Sequence, residues 1–290
     1  MTIPMHLPIL MFHHVEAVAA PDLVPPPRHR TSYLSRGEFA AVLDALAGRG
    51  CTTLTLGEAM TRQSAGRRTP RRGVVLTFDD GCRCFQRHAL PELAARGMTA
   101  TLFAVSGELG GCNRWDRPAD GPVERREELM AAAELRALAA AGIEVGSHSR
   151  HHRDLTACAA GELADEVAGS RDELAAALGG PVQTFCYPYG RYDARARAAV
   201  AAAGYDAAAA IHGVAGARRH DPLALPRLAV SPGESRFELL LKASGAYPWW
   251  SRLPRLGLLR RLRRRDAAEP APAGAAGAGL SGDAGETRRR

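Results

Sequence analysis

Gly73-Val74-Val75-Leu76-Thr77-Phe78-Asp79-Asp80-Gly81 reads as a buried β-strand that delivers two adjacent carboxylates into a glycine turn. Neighbouring side chains on a strand point to opposite sides, so at its terminus the two carboxylates can serve different tasks: one can bind a metal while the other stays free as a base. Taken alone, Asp79-Asp80-Gly81 is better explained as turn chemistry. Working outward, the same kind of short β-rich run recurs at Ile9–Phe12, Thr52–Thr55, Ala100–Val105, Ile143–Gly146, Thr184–Cys186, Ala207–Ile211 and Leu228–Val230. Helical stretches near 36–48, 84–96, 127–141, 160–178 and 194–203 fall between these runs. Such alternation predicts an α/β domain on a largely parallel sheet or barrel. Ser35-Arg36-Gly37-Glu38 is a capping box, and Phe39, Val42, Leu43 and Leu46 form one apolar helix face behind it.

With 290 residues, 46% of them apolar, the chain can bury a full core. One domain over residues 1–245 followed by a tail over 246–290 is expected. Ten arginines oppose four acids in the tail, so it carries +6 of the formal +7, and the body is nearly neutral. A nearly neutral body argues against nucleic acid as a partner. Leu253, Leu256, Leu259 and Leu262 at helical spacing among arginines, beside Trp249 and Trp250, suggest a short amphipathic helix in peripheral contact with an anionic membrane, with a solvated basic tail as the alternative. Ala267–Thr287 is compositionally disordered. Pro4, His6 and Pro8 interrupt the N-terminal apolar run, no cationic start precedes it, and no stretch reaches the length of a membrane span. A cytoplasmic location is therefore expected, with peripheral placement at the inner membrane face if the tail binds lipid. Cysteines 51, 82, 84, 112, 158 and 186 lack the density of a disulfide scaffold and read as reduced thiols.

A second strand end, Ile143-Glu144-Val145-Gly146-Ser147, runs straight into His148-Ser149-Arg150-His151-His152. On a helical turn, the four-residue spacing of His148 and His152 would set both imidazoles on one face; His151 is the competing second histidine. Two histidines and one carboxylate, with a position left open for water, are what a catalytic Zn²⁺ or similar divalent ion requires.

Three strings, Thr77-Phe78-Asp79-Asp80-Gly81, His148-Ser149-Arg150-His151-His152-Arg153-Asp154-Leu155 and Phe185-Cys186-Tyr187-Pro188-Tyr189-Gly190, resemble the first three signatures of the polysaccharide deacetylase family, the NodB-like carbohydrate esterases, and occur in the family's order. Leu10-Met11-Phe12-His13-His14-Val15 resembles the N-terminal motif of the branch that includes poly-N-acetylglucosamine deacetylases. The resemblance covers residues 7 to 232. It implies a distorted (β/α) barrel and hydrolysis of the acetamide of an N-acetylated glycan. It also implies a divalent metal, Zn²⁺ first, with Co²⁺ or Ni²⁺ as alternatives.

Carried over residue by residue, the resemblance makes Asp79 the catalytic base and Asp80, His148 and His152 the metal ligands. Tyr189, through its backbone N–H, becomes a donor to the oxyanion, with Pro188 of the same turn beside the substrate. The usual C-terminal Leu-x-His is absent, Leu225-Pro226-Arg227-Leu228 standing there instead, so the general acid is expected at His13, with His14 as its competitor. Cys186 replaces the arginine that many members use to hold the catalytic aspartate. Arg227, placed with the substrate-binding residues, is the candidate to supply that charge from another direction, and without it the chain would be a glycan-binding protein with an impaired base. Deacylation of a lipid-linked sugar is the enzymatic alternative. Cys82 and Cys84 are expected to be structural, and Trp115, Trp249 and Trp250 are candidates for sugar stacking. Oligomeric state stays open.

Overall fold

The computed structural model describes residues 7–19, 22–23, 30–116, 125–211 and 221–245. The basic tail, with Trp249 and Trp250, lies outside the described residues. Among those described, no helix is long and apolar enough to cross a membrane.

Eleven strands follow in chain order: β1 (Ile9–Phe12), β2 (His14–Glu16), β3 (Tyr33–Ser35), β4 (Thr52–Leu54), β5 (Gly73–Phe78), β6 (Thr101–Ala104), β7 (Glu144–Ser147), β8 (Thr184–Cys186), β9 (Ala207–Ala210), β10 (Leu225–Pro226) and β11 (Leu228–Ala229). Nine of them form one parallel sheet in the order β10-β9-β8-β7-β6-β5-β1-β11, with β4 also paired to β5. All six residues of β5 are buried, as expected of a strand covered on both faces. Its outer half pairs with β1 from Ile9↔Val75 to Phe12↔Phe78, so the two strands end level. This register sets His13 and Asp79 side by side.

The sheet nearly closes into a barrel, and Arg227 marks the closure. Leu225 and Pro226 pair with β9, while Leu228 and Ala229 pair with β1. One short segment thus spans the first and last walls and breaks at Arg227. That break turns the Arg227 side chain toward the ends of the central strands.

The helix expected at 36–48 spans Arg36–Gly48 with its capping box in place, Ser35 Oγ accepting from Glu38 N–H and Glu38 accepting from Ser35 N–H. Two other expected helices change register internally. Residues 85–89 and 165–169 are π-turns, each followed by α-helix (Leu90–Ala94 and Ser170–Leu178). The helix expected at 127–141 begins only at Ala132. Ahead of it, residues 127–130 run extended: Glu128 O accepts from Arg83 N–H and Met130 N–H donates to Gly81 O, at 2.8 and 3.0 Å. These bonds tie down the turn that carries Asp80.

Two helices were not expected, Leu56–Ser64 and Arg236–Ala243. Each starts on a Ser or Thr cap that accepts from the N–H of a glutamate three residues on: Thr55 from Glu58, Ser235 from Glu238. Those spacings are legible signals in the sequence.

Candidate active site

Asp79 lies just past β5 and is buried; its N–H still donates to Phe12 O at 3.2 Å, extending the ladder by one bond. At Asp80 the backbone enters the left-handed region, φ 72°, and Gly81 follows at φ 73°. A Cβ at Gly81 would sit 3.2 Å from Ala104 Cα, so the turn needs glycine there. The two carboxylates diverge because of this left-handed turn and not through the simple strand alternation expected from sequence.

His148 and His152 do converge, although residues 148–152 are not a helical turn. Ser149 (φ 65°) and His152 (φ 57°) fold the loop back on itself, bringing the imidazoles to a centroid distance of 4.7 Å in edge-to-face contact. Both Nε2 atoms lie 3.6 Å from Asp80 Oδ1. Glu166, a buried residue that no motif announces, holds the loop from below by accepting from the N–H groups of Arg150 and His151. The same carboxylate takes His151 Nδ1 at 2.7 Å, which removes His151 as the second histidine of the cluster.

Among the described residues, the non-glycine residues with positive φ are Asp80, Ser149, His152 and Tyr189. All four belong to this one cluster. Each such conformation costs of order 1–3 kcal/mol and persists only where the surroundings over-determine it.

Protonation follows from the hydrogen bonds. His148 Nδ1–H donates to the Cys186 carbonyl at 2.8 Å, and because a carbonyl can only accept, Nε2 is left as a lone pair facing Asp80. Burial lowers the pKa of both imidazoles, keeping them neutral. His152 Nδ1 is buried without a hydrogen-bond partner. Burial, with repulsion from Asp79, raises Asp80 to about 7 in spite of His14 nearby. Asp80, His148 and His152 therefore present three donor atoms within 4.8 Å of one another, two imidazole nitrogens and one carboxylate oxygen. This donor set fits a divalent metal.

Asp79 has the opposite environment. Arg227 Nη1 and Nη2 donate to its Oδ1 and Oδ2 at 2.6 and 2.8 Å, a bidentate pair with the arginine side chain fully buried. Burial works to raise this carboxyl, but the charge and hydrogen bonds of Arg227, with help from His148, hold it well below the usual carboxylate range. Arg227 Nη2 also reaches Cys186 Sγ at 3.1 Å. The thiol thus lies against the Asp79–Arg227 pair, and Arg227 brings the charge in from the barrel closure. The sequence grouping of Arg227 with substrate-binding residues is corrected here: it has no exposed side-chain surface, and its terminal nitrogens are engaged by Asp79.

His13 Nε2 is 3.8 Å from Asp79 Oδ2, with 26% of its side chain exposed. Burial lowers its pKa to about 4, against the attraction of Asp79, so its resting form is the neutral imidazole. His14 points the other way, stacked on Tyr33 with its Nε2 3.9 Å from Asp80 Oδ2. Of the two histidines, His13 thus lies beside Asp79 and His14 beside Asp80.

Pro188 is buried at the start of a tight turn, and Tyr189 (φ 56°) is 45% exposed beside His152, ring centroids 4.6 Å apart. Trp115 also stacks on His152, at 4.7 Å and 28°.

The polysaccharide deacetylase family profile matches residues 66–208. Bacillus subtilis (strain 168) YxkH, assigned provisionally as a polysaccharide deacetylase, is 26% identical over 244 residues, covering 84% of this chain and 76% of YxkH. In fold the chain is similar to the Streptococcus pyogenes deacetylase PplD solved with acetate (TM-score 0.68, 21% identity, 83% and 99% of the two chains). It is also similar to IcaB from Ammonifex degensii (TM-score 0.64, 22% identity, 83% and 97%). The chain therefore belongs to the polysaccharide deacetylase family, hydrolases of carbon–nitrogen bonds other than peptide bonds.

Proposed function

We propose that this chain is a metal-dependent deacetylase that removes N-acetyl groups from an acetamido sugar polymer or glycoconjugate, with residues 1–245 as its catalytic domain. The observation that carries the proposal is the contrast between two adjacent carboxylates, one clamped by a buried arginine and the other facing two neutral imidazole lone pairs.

Asp80, His148 and His152 are the ligands for a divalent ion, Zn²⁺ first, with Co²⁺ or Ni²⁺ as alternatives. When bound, the ion supplies Lewis acidity toward the acetamide carbonyl and makes water more acidic. Asp79 is the general base: its lowered pKa keeps it a carboxylate at neutral pH, and Arg227 fixes its orientation. A proton received there has His13 Nε2 3.8 Å away from Oδ2. His13, neutral at rest, acquires its proton within the turnover and donates it to the departing sugar amine. The Tyr189 N–H donates to the tetrahedral oxyanion, while Pro188 shapes the turn that presents it. Tyr189 and Trp115 line the approach of the sugar ring.

The test is acetate release from N-acetylglucosamine oligomers, measured for the full chain after chelation and again after Zn²⁺ or Co²⁺ is restored. Release is expected only with metal and to be lost in Asp79→Asn. Activity that survives chelation or that substitution would refute the proposal.

A further inference from the structure

The proposed mechanism leaves a second cluster of donor atoms unused, directly behind Asp80. A ring nitrogen of His14, Cys82 Sγ and Cys84 Sγ lie within 4.8 Å of one another, and all three residues are buried. Buried cysteines often serve as small apolar filler, and Cys82 and Cys84 do pack against Leu129 and Trp115. Filler does not account for His14. Its Nδ1 faces Cys84 Sγ at 3.7 Å. Its other nitrogen, Nε2, faces Asp80 Oδ2 at 3.9 Å.

The three donors are also held in place. Cys82 bridges to Leu129, Arg83 N–H donates to Glu128 O at 2.8 Å, and Phe85 N–H donates to Cys82 O at 3.1 Å, so the backbone on both sides of the cysteine pair is pinned. A π-turn begins immediately after Cys84, a local register change that recurs at functional sites. Tyr33 lies flat on the His14 ring, centroids 4.1 Å apart and planes 12° apart, with its hydroxyl tied to Glu127 at 3.0 Å. The surrounding wall is acidic: Asp80, Glu16 and Glu127 approach, and Arg125 answers the last two at 3.9 and 2.5 Å. A preorganised pair of thiols and an imidazole in an electronegative pocket favours a cation with affinity for sulfur.

We infer that His14 Nδ1, Cys82 Sγ and Cys84 Sγ form a second metal site, for a thiolate-preferring ion such as Zn²⁺, distinct from the Asp80–His148–His152 cluster. Binding releases the thiol protons to solvent and changes no oxidation state. With Nδ1 on the ion, His14 carries its proton on Nε2, toward Asp80 Oδ2. That carboxylate–histidine–metal relation orients ligands in other metal sites, and here it would steady Asp80 with Oδ1 toward His148 and His152.

The full chain, reduced and freed of metal, is titrated with Co²⁺. A thiolate-to-Co²⁺ charge-transfer band is expected, because the Asp80–His148–His152 cluster contains no sulfur. The band should disappear in Cys82→Ser/Cys84→Ser and persist in Cys186→Ser, the control for the thiol beside Asp79. Metal stoichiometry should fall by one equivalent per chain in the double variant. With Zn²⁺ bound, Cys82 and Cys84 should resist alkylation until a chelator is added. The wild-type measurements decide even where the double variant folds poorly. A wild type without the band, a band lost in Cys186→Ser instead, or Cys82 and Cys84 protected as a disulfide released only by reductant would overturn the inference.

Discussion

Asp79 and Asp80 are adjacent in sequence, the first buried and the second with 13% of its side chain exposed, and the protein treats them in opposite ways. Asp79 meets a bidentate guanidinium that grips both of its oxygens and holds its pKa down. Asp80 faces imidazoles that burial keeps neutral, and its pKa rises to about 7. The first carboxylate is satisfied by the fold. Burial disfavours the charge on the second in spite of His14 at 3.9 Å, and a cation bound there would offset that cost. The left-handed turn at Asp80 is the device that separates the two environments.

The largest expected effect falls on the satisfied carboxylate. Asp79→Asn should lower kcat by about 10²–10⁴-fold, the range for a positioned general base, while leaving metal content unchanged. Loss of metal from that variant would instead make Asp79 a ligand and erase the contrast. Steady-state kinetics with metal analysis on the same preparation provides the check.

Next in size is the clamp. Arg227→Met leaves the buried Asp79 charge unpaired and should destabilise the fold by about 3–5 kcal/mol; the double variant with Asp79→Asn should recover much of that loss in denaturant titration. Because Arg227 holds the Asp79 pKa below its ordinary value, the stability from the pair is present above the unfolded carboxyl pKa of 3.8 and lost as pH falls through the lower folded value. Without Arg227 the Asp79 pKa rises, and the acid limb of kcat/KM should move to higher pH. An unmoved limb would assign the orientation of the base to another group.

A smaller effect sharpens the Asp80 side. In metal-free protein its folded pKa of about 7 exceeds the unfolded 3.8, so its contribution to stability is full below 3.8 and disappears as pH rises toward 7. Relative to Asp80→Asn, the metal-free wild type should therefore lose stability across that window, by thermal melts at stepped pH. Saturating metal should flatten the slope. Smallest is Trp115→Ala, expected to raise KM for oligomeric substrate several-fold with kcat little changed. An equal fall in kcat would mean that its stacking on His152 orients the metal ligand.

Much of this was legible in the chain itself. Runs of β-branched and apolar residues marked eight of the sheet strands within a residue or two, because a buried parallel strand must be apolar on both faces. The helices that went unseen, Leu56–Ser64 and Arg236–Ala243, carried readable capping spacings. Strand pairs as short as His14–Glu16 with Tyr33–Ser35 carry too little periodicity to stand out. The start of the helix at Ala132 was misplaced because residues 127–130 spend their hydrogen bonds on the turn after Asp80, a tertiary partnership without a local signature.

By itself the sequence determined the chemistry available: adjacent carboxylates on a strand end, histidines after another, a Pro-Tyr turn after a third, and an N-terminal histidine, in an order that names the family. Only the tertiary structure decided how these parts divide the work. Arg227 reaches Asp79 because the closing strand breaks between two walls of the barrel, and the loop from His148 to His152 converges through left-handed residues braced by Glu166. The reason is physical. Residue types fix which charges and lone pairs exist, whereas a pKa and a ligand set depend on distance and burial, which arise only when segments far apart in the chain are packed together.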